Sequence, residues 1–440
     1  MPETKIIMTV PQSRERRAAA RMTGRYLMTM DERAGSEITA KLTDKGFGAA
    51  TPLSRDASVA HSIQPGHQMA LSNVGVAVVD PTPDQAETLH QFAAQEDGVI
   101  ALEPERIVRA VQQIDVLAYI RGWREGTDAL AARLIEEHQA TGPQPAAAAD
   151  AVATWGLVLT KDLLTNFSGQ NIKVAILDTG FDLSHPDFQG RQIITKNFVG
   201  DNTPFHDGVG HGTHCTGTAC GPFKALRGPR YGIAYQALIF AGRVLDDTGH
   251  GGDFNILQGI DWAIENRCDI VSLSLGAPWL PGDPPFSRAY ETAAQKALAA
   301  GCLLIVAAGN EADSPRFIGA VGTPGNSPSV LTVAAVDEKL ATASFSNRVQ
   351  PDAPGVKGPD MAGPGVGIYS AWPVVNGEYN SISGTSMATP HVAGIAALYA
   401  EANPGVRGPA LKDLLRSRAL PLSGGVQRQG EIGRGLVQAP

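Results

Sequence analysis

The chain has 440 residues, 43% of them hydrophobic and 18% charged, with a net charge of -8. That length accommodates one large domain and a smaller one, and the acidic balance argues against a general nucleic-acid binder, which needs a basic face. No stretch reaches the roughly eighteen apolar residues of a membrane helix, and the charged N-terminus with its "RERR" run lacks the apolar core of a secretory signal.

In chain order, a solvated arm precedes "RYLMTM" (25–30), which reads as a strand, and "SEITAKLTDKG" (36–46), a helix closed by glycine. "VGVAVVD" (74–80) is a β-branched strand, and "PDQAETLHQFAAQED" (83–97) an amphipathic helix with proline in its first turn. "VIALEPERIVRAV" (99–111) closes the set as a last strand. With one further strand between residues 47 and 73, this is the strand–helix–strand–strand–helix–strand order of ferredoxin-like units. A helical stretch, "LAYIRGWREGTDALAARLIEEHQ", then leads into the Pro/Ala linker "ATGPQPAAAADA". We therefore divide the chain into an arm with a small α+β unit (1–111), a joint (112–150) and a large C-terminal domain (151–440).

In that domain "NIKVAILDTG" (171–180), "ALIFAGRVL" (237–245), "CDIVSLSLG" (268–276), "CLLIVAAGN" (302–310) and "VLTVAAVD" (330–337) read as strands. "DFNILQGIDWAIENR" (253–267) and "SRAYETAAQKALAAG" (287–301) read as helices between them. Nearly continuous apolar strands with helical crossovers predict an α/β fold: a doubly wound, mostly parallel sheet with helices on both faces. Ligands of such sheets bind beyond the carboxyl ends of the strands. Asp178, "SLSLG" and Asn310 fall there.

Three chemistries fit "GHGTHCTGT" (210–218): a metal clamp, a cysteine beside a histidine base, or a histidine serving a distant nucleophile. A zinc-type clamp is disfavoured, because His211 and His214 are three apart with no glutamate between them. Four cysteines in so long a chain are no disulfide framework, although Cys215 and Cys220 are close enough in sequence to bridge. In "SGTSMATPHVAG", Ser386 opens a small, apolar helix, where backbone N–H groups and the helix dipole favour developing negative charge. Asp178 ends a buried strand and needs a partner. Asn310 ends another and can donate to an oxyanion. Asp, then His, then Ser is one of the chain orders of a Ser-His-Asp constellation.

Together, "AILDTGFDLSHPDF", "HGTHCTGT", "SLSLG", "AAGNE" and "SGTSMATPHVAG" resemble the subtilisin-like serine proteases (subtilases), from about Trp155 to the C-terminal "GRGLVQA". The resemblance implies a subtilisin-like fold and a serine endopeptidase, with Asp178 as triad acid, His211 as general base and Ser386 as nucleophile. Asn310 and the Ser386 N–H would form the oxyanion hole. His214 takes the family's second, structural histidine position, and Cys215 lies beneath the base. Substrate would lie as an added strand between Ser274–Leu275–Gly276 and the segment holding Gly249 and Gly251. Ala308, Gly309 and Glu311 would line the primary pocket, with Gly322 at its floor. Glycine there leaves space, so the expectation is broad specificity favouring large apolar residues before the cut, with Glu311 also able to accept a lysine.

No cofactor is needed for catalysis. Asp187, in "HPD", matches a ligand of the family's tight calcium site, and Asp360 a weaker cation site. The loop that normally completes the first is "GPFKALRGPRYG", with no Asn or Asp, so structural calcium is left open. The first 110 residues resemble the family's inhibitory prodomain, a ferredoxin-like unit whose last strand runs into the active-site cleft. The enzyme would thus be a zymogen with its own prodomain as intramolecular inhibitor, autoprocessed between about 110 and 153. Its partners would be protein or peptide substrates, not nucleic acid or membrane, and a cytoplasmic location is slightly favoured over a secreted one. A non-catalytic binding protein of the same fold is the rival reading.

Overall fold

The computed structural model describes residues 6–7, 22–48, 63–111, 153–200, 203–423 and 425–440. The joint and linker expected over 112–150, and most of the N-terminal arm, lie outside the described residues. The N-terminal unit runs β1 (Met22–Met30), α1 (Gly35–Asp44), β2 (His67–Leu71), β3 (Val76–Asp80), α2 (Ala86–Gln95) and β4 (Val99–Ala110). Its strands lie in the order β4-β1-β3-β2. The strand required between 47 and 73 is β2, "HQMAL", paired antiparallel with β3. Gln68 hides it from a reading by alternation: its side chain is buried, and its amide donates to Thr39 O at 2.7 Å.

One face of this sheet is covered by its own helices, through Ile38, Leu42, Leu89 and Phe92. The other face, with Leu27, Met69, Val76, Val78 and Val108, belongs to the core of the C-terminal domain. That is why "VGVAVVD" is apolar at consecutive positions: β3 is buried on both sides.

The C-terminal domain holds β5 (Lys173–Asp178), β6 (Ile193–Asn197), α3 (His211–Cys220), β7 (Leu238–Arg243), β8 (His250–Gly252), α4 (Asp253–Glu265), β9 (Ile270–Leu273), β10 (Leu275–Gly276), α5 (Arg288–Ala299), β11 (Leu303–Ala307), β12 (Leu331–Val336), β13 (Met361–Pro364) and α6 (Thr385–Ala402). Among the described residues its main sheet has seven strands, β13-β12-β11-β9-β5-β7-β6, every neighbouring pair parallel. The two edge strands were not legible in advance, since "IITKN" and "MAGP" are short and carry polar residues or proline. Helix α6 is buried from Thr385 to Ala400, which its small, apolar composition on all sides permits. It crosses α3 so closely that a Cβ on Gly394 would sit 2.8 Å from Ala219 O.

Two carboxylates of β4 tie the units together. Glu105 accepts from Phe254 N at 2.8 Å, and Glu103 from Ala289 N at 2.9 Å and Ser287 Oγ at 3.1 Å. These donors lie at the starts of α4 and α5, where unpaired N–H groups and the helix dipole favour an anion. In the other direction, Asp253 accepts from Arg106 N and Asp261 from Asn73 N, each at 2.8 Å.

Candidate active site

The carboxyl ends of β5, β9 and β11 and the N-termini of α3 and α6 converge on one place. Asp178 closes β5 and is 1% exposed; its Oδ1 accepts from His211 Nδ1 at 2.7 Å and from Thr179 N at 2.7 Å. His211 opens α3 and is fully buried. Burial works against its charged form, but the Asp178 carboxylate, with Cys215 adding to it, outweighs burial and holds the pKa well above the ordinary histidine value. His211 Nε2 has no hydrogen-bond partner among the described residues.

His214 faces elsewhere: its Nε2 meets Ile368 O at 2.8 Å, and burial pushes its pKa down to about 3. It is a neutral, buried packing residue. Cys215 Sγ lies 3.9 Å from His211 Nδ1, and burial raises its pKa, so it is held as a thiol rather than a nucleophilic thiolate. The ligand atoms of Asp178, His211 and Cys215 fall within 4.8 Å of one another, with His211 Nδ1 committed to the Asp178 carboxylate. All four cysteines are free, so Cys215 and Cys220 do not bridge.

Ser386 is the second residue of α6. Four residues on, Pro390 has no N–H to give to the Ser386 carbonyl. Ser274 Oγ at 2.8 Å and the Cys215 thiol at 3.5 Å take that place. The Ser386 hydroxyl lies 2.9 Å from Ser274 O and also bonds to Val111 O. In this arrangement it is turned to these carbonyls, and no His211–Ser386 hydrogen bond is formed. Asn310 follows β11; its Oδ1 accepts from Thr385 N at 3.0 Å and Thr385 Oγ1 at 2.9 Å. Those donors orient the amide, so that Nδ2 points at Val111 O, 3.0 Å away.

One positioning residue escaped the sequence reading. Asp207, 7% exposed, accepts five hydrogen bonds among the described residues: from Thr179 Oγ1, Val209 N, Gly210 N, Thr213 N and Thr213 Oγ1. It joins the end of β5 to the first turn of α3, and so joins Asp178 to His211. Its available signal was an Asp four residues before the helix start, a residue type suited to capping.

A groove runs across these residues, and β4 fills it. Antiparallel pairing sets Leu275 against Ala110 and Gly276 against Arg109 on one side. On the other, Gly252, Gly251 and His250 face Ile107, Val108 and Arg109. Val111 N donates to Ser274 O at 3.1 Å and Ala110 N to Gly249 O at 2.9 Å. Ser274, Leu275, Gly276, Gly249 and Gly251 are therefore all brought to the strand. Ala308 O accepts from Gly322 N at 3.1 Å, and Gly309 N donates to Thr385 Oγ1 at 3.2 Å. Gly322 is required for a reason the sequence did not show: a Cβ there would meet Ala277 O at 2.4 Å, where residues 277 and 323 exchange backbone hydrogen bonds. Glu311 lies at the groove's edge, against Arg109 and Asn347.

The two carboxylates considered for calcium are engaged by the protein itself. Asp187 accepts from Leu226 N at 2.6 Å, Tyr231 OH at 2.6 Å and Tyr379 OH at 3.1 Å. Asp360 accepts from Thr332 N at 2.9 Å and Lys357 Nζ at 2.8 Å, with Arg416 Nε 3.6 Å away. Burial would raise the Asp360 pKa, but Lys357 outweighs it and keeps the carboxyl ionised. Calcium needs several oxygen ligands. Donor hydrogens surround one carboxylate and cations the other, so these residues do not fit the ion.

The pattern of the Subtilase family matches residues 169–435. Subtilisin E of Bacillus subtilis (strain 168) is 38% identical over 272 residues, 62% of this chain and 65% of its own length. The chain thus spans less than two thirds of that relative. The subtilisin of Bacillus pumilus is likewise 38% identical over 272 residues, there covering 90% of the relative. A cuticle-degrading serine protease of Arthrobotrys oligospora is 35% identical over 260 residues, 58% of each chain. Among solved structures, a cold-adapted subtilisin-like serine proteinase matches with a TM-score of 0.55 and 32% identity, covering 66% of this chain and 99% of that one.

Proposed function

Because the chain belongs to the subtilase family, we propose that it is a serine endopeptidase made as a zymogen, inhibited by its own N-terminal unit. One observation carries this reading. The Val111 carbonyl accepts from Asn310 Nδ2 at 3.0 Å and touches the Ser386 hydroxyl, at the end of a strand held as an added β-strand in the groove. A peptide carbonyl is therefore presented where a nucleophile and an oxyanion donor meet.

Ser386 Oγ attacks the carbonyl carbon of the residue at Val111's position while His211 Nε2 takes its proton. Asp178 holds the imidazole with Nδ1 protonated and stabilises the imidazolium. The carbonyl oxygen becomes an oxyanion, stabilised by Asn310 Nδ2. His211 then gives its proton to the leaving amine as the C–N bond breaks, and water releases the acyl group by the same roles reversed. Before attack, the Ser386 hydroxyl turns from the carbonyls towards His211. Val111 is 5% exposed, which supports an apolar preference at this position. Broad specificity favouring large apolar residues is part of the same reading, since the groove reads main chain.

The test is self-cleavage. Incubated full-length protein should yield a new N-terminus at Gln112, read by intact mass and N-terminal sequencing. A cut elsewhere, or none in a chain with Ser386 intact, counts against the reading.

No calcium is expected at Asp187 or Asp360. Anything binding only the folded chain raises its melting temperature, so calcium and a chelator should give the same midpoint. A calcium-dependent rise abolished by Asp187→Asn or Asp360→Asn would restore the ion.

A further inference from the structure

Within the groove, one contact is between side chains of opposite charge: Arg109 Nη2 lies 3.1 Å from Glu311 Oε1. We propose that Glu311 selects a basic residue at the third position on the amino side of the scissile bond, counting Val111 as the first. The substrate class becomes peptides with an apolar first residue and an arginine or lysine third. This rests on reading β4 as a bound substrate strand.

The register leaves no freedom in the counting. Val111 N and Ala110 N are bonded to Ser274 O and Gly249 O, and Arg109 stands between Gly276 and His250. Any peptide whose reacting carbonyl reaches Asn310 in the same pairing places its third residue beside Glu311. That carboxylate is held in place before substrate arrives. Glu311 Oε2 accepts from Asn347 Nδ2 at 2.6 Å, and Asn347, itself fully buried, has its Oδ1 fixed by Ala312 N at 3.0 Å. Gly309 makes room for the pair: a Cβ there would sit 2.4 Å from Asn347 Nδ2 and 2.7 Å from Glu311 Oε2. The Glu311 side chain is only 23% exposed, whereas that of Arg109 is 56% exposed. The acid belongs to the groove, and the base arrives with the strand. Arg106, the other cation of the strand's inner segment, is committed to Asp253 and Thr323. The sequence expectation placed Glu311 at the primary pocket, able to accept a lysine; in the docked strand it meets Arg109, at the third position.

With the arginine half in solvent, the expected preference is modest, about fivefold, and it must fade with salt. The experiment compares processed enzyme on three fluorogenic peptides identical except for arginine, citrulline or glutamate at the third position. kcat/KM should fall in that order, with arginine over citrulline by about fivefold at low salt, expressed in KM. The ratio should approach one at about 1 M salt, where screening acts within about 3 Å. Glu311→Gln keeps an acceptor for Asn347 and should bring the ratio to about one, and Glu311→Lys should favour glutamate. Should these variants fail to fold, the salt series on the unaltered enzyme decides alone. Equal rates for all three peptides at low salt, or an unchanged ratio in Glu311→Gln, overturn the selectivity. Cleavage of none of them overturns the selectivity and the proposed activity together.

Discussion

Ser386→Ala should leave the chain at its full 440 residues after prolonged incubation and lower peptidase activity by about 10⁶ in kcat, the loss known for the equivalent replacement in a subtilisin rather than one derived from this geometry. The fold should survive. Among the described residues the hydroxyl hydrogen-bonds only to the carbonyls of Val111 and Ser274, and alanine suits the first turn of a helix buried from Thr385 to Ala400. Val111 O also keeps its bond from Asn310, so the N-terminal unit stays docked in the variant. A fluorophosphonate probe should label the unaltered chain at Ser386 only after cleavage and release of the N-terminal unit, because β4 fills the groove until then. A Ser386→Ala chain that still cuts itself, with mixing experiments excluding a contaminating protease, would remove the serine from the mechanism.

Asp178→Asn should lower kcat by about 10⁴ while leaving KM nearly unchanged. The amide can still bond to His211, but it offers Nδ1 the wrong partner and no charge. The pH profile carries a second readout. In the proposed mechanism the neutral imidazole is the base, so kcat/KM should rise with pH through the His211 pKa. Asp178 is the strongest influence raising that pKa against the opposing effect of burial. Without the carboxylate, the acidic limb should move to lower pH. A variant whose limb stays in place, or moves to higher pH, would mean that Asp178 does not set the charge on His211.

Several features of the site were legible because they are local. Asp178 ends an apolar strand, His211 and Ser386 open helices, and Asn310 follows a strand, so each position could be read from a short stretch. Strand β2 was legible only as a gap in an order, because its buried Gln68 breaks the alternation that marks a half-buried strand. Asp207 offered only the weak signal of an Asp shortly before a helix, since its partners come from the end of one strand and the start of that helix and only the fold brings them together. For Gly322 the fold adds a constraint that the chain alone does not show, the close approach of the Ala277 carbonyl.

The α/β fold class and the identity of the residues at the carboxyl ends of the strands could be read from the chain alone. These depend on hydrophobic period, chain punctuation and residue type, which are properties of neighbours along the chain. That Val111 is the residue presented to Asn310, and that Arg109 meets Glu311, follows from how the chain packs in three dimensions. The same packing decides that Asp187 and Asp360 are engaged by protein donors. Apart from Lys357, three residues from Asp360, those partners lie between 28 and 202 positions apart and meet through the register of an inserted strand and the packing of side chains, and no local pattern encodes such distances.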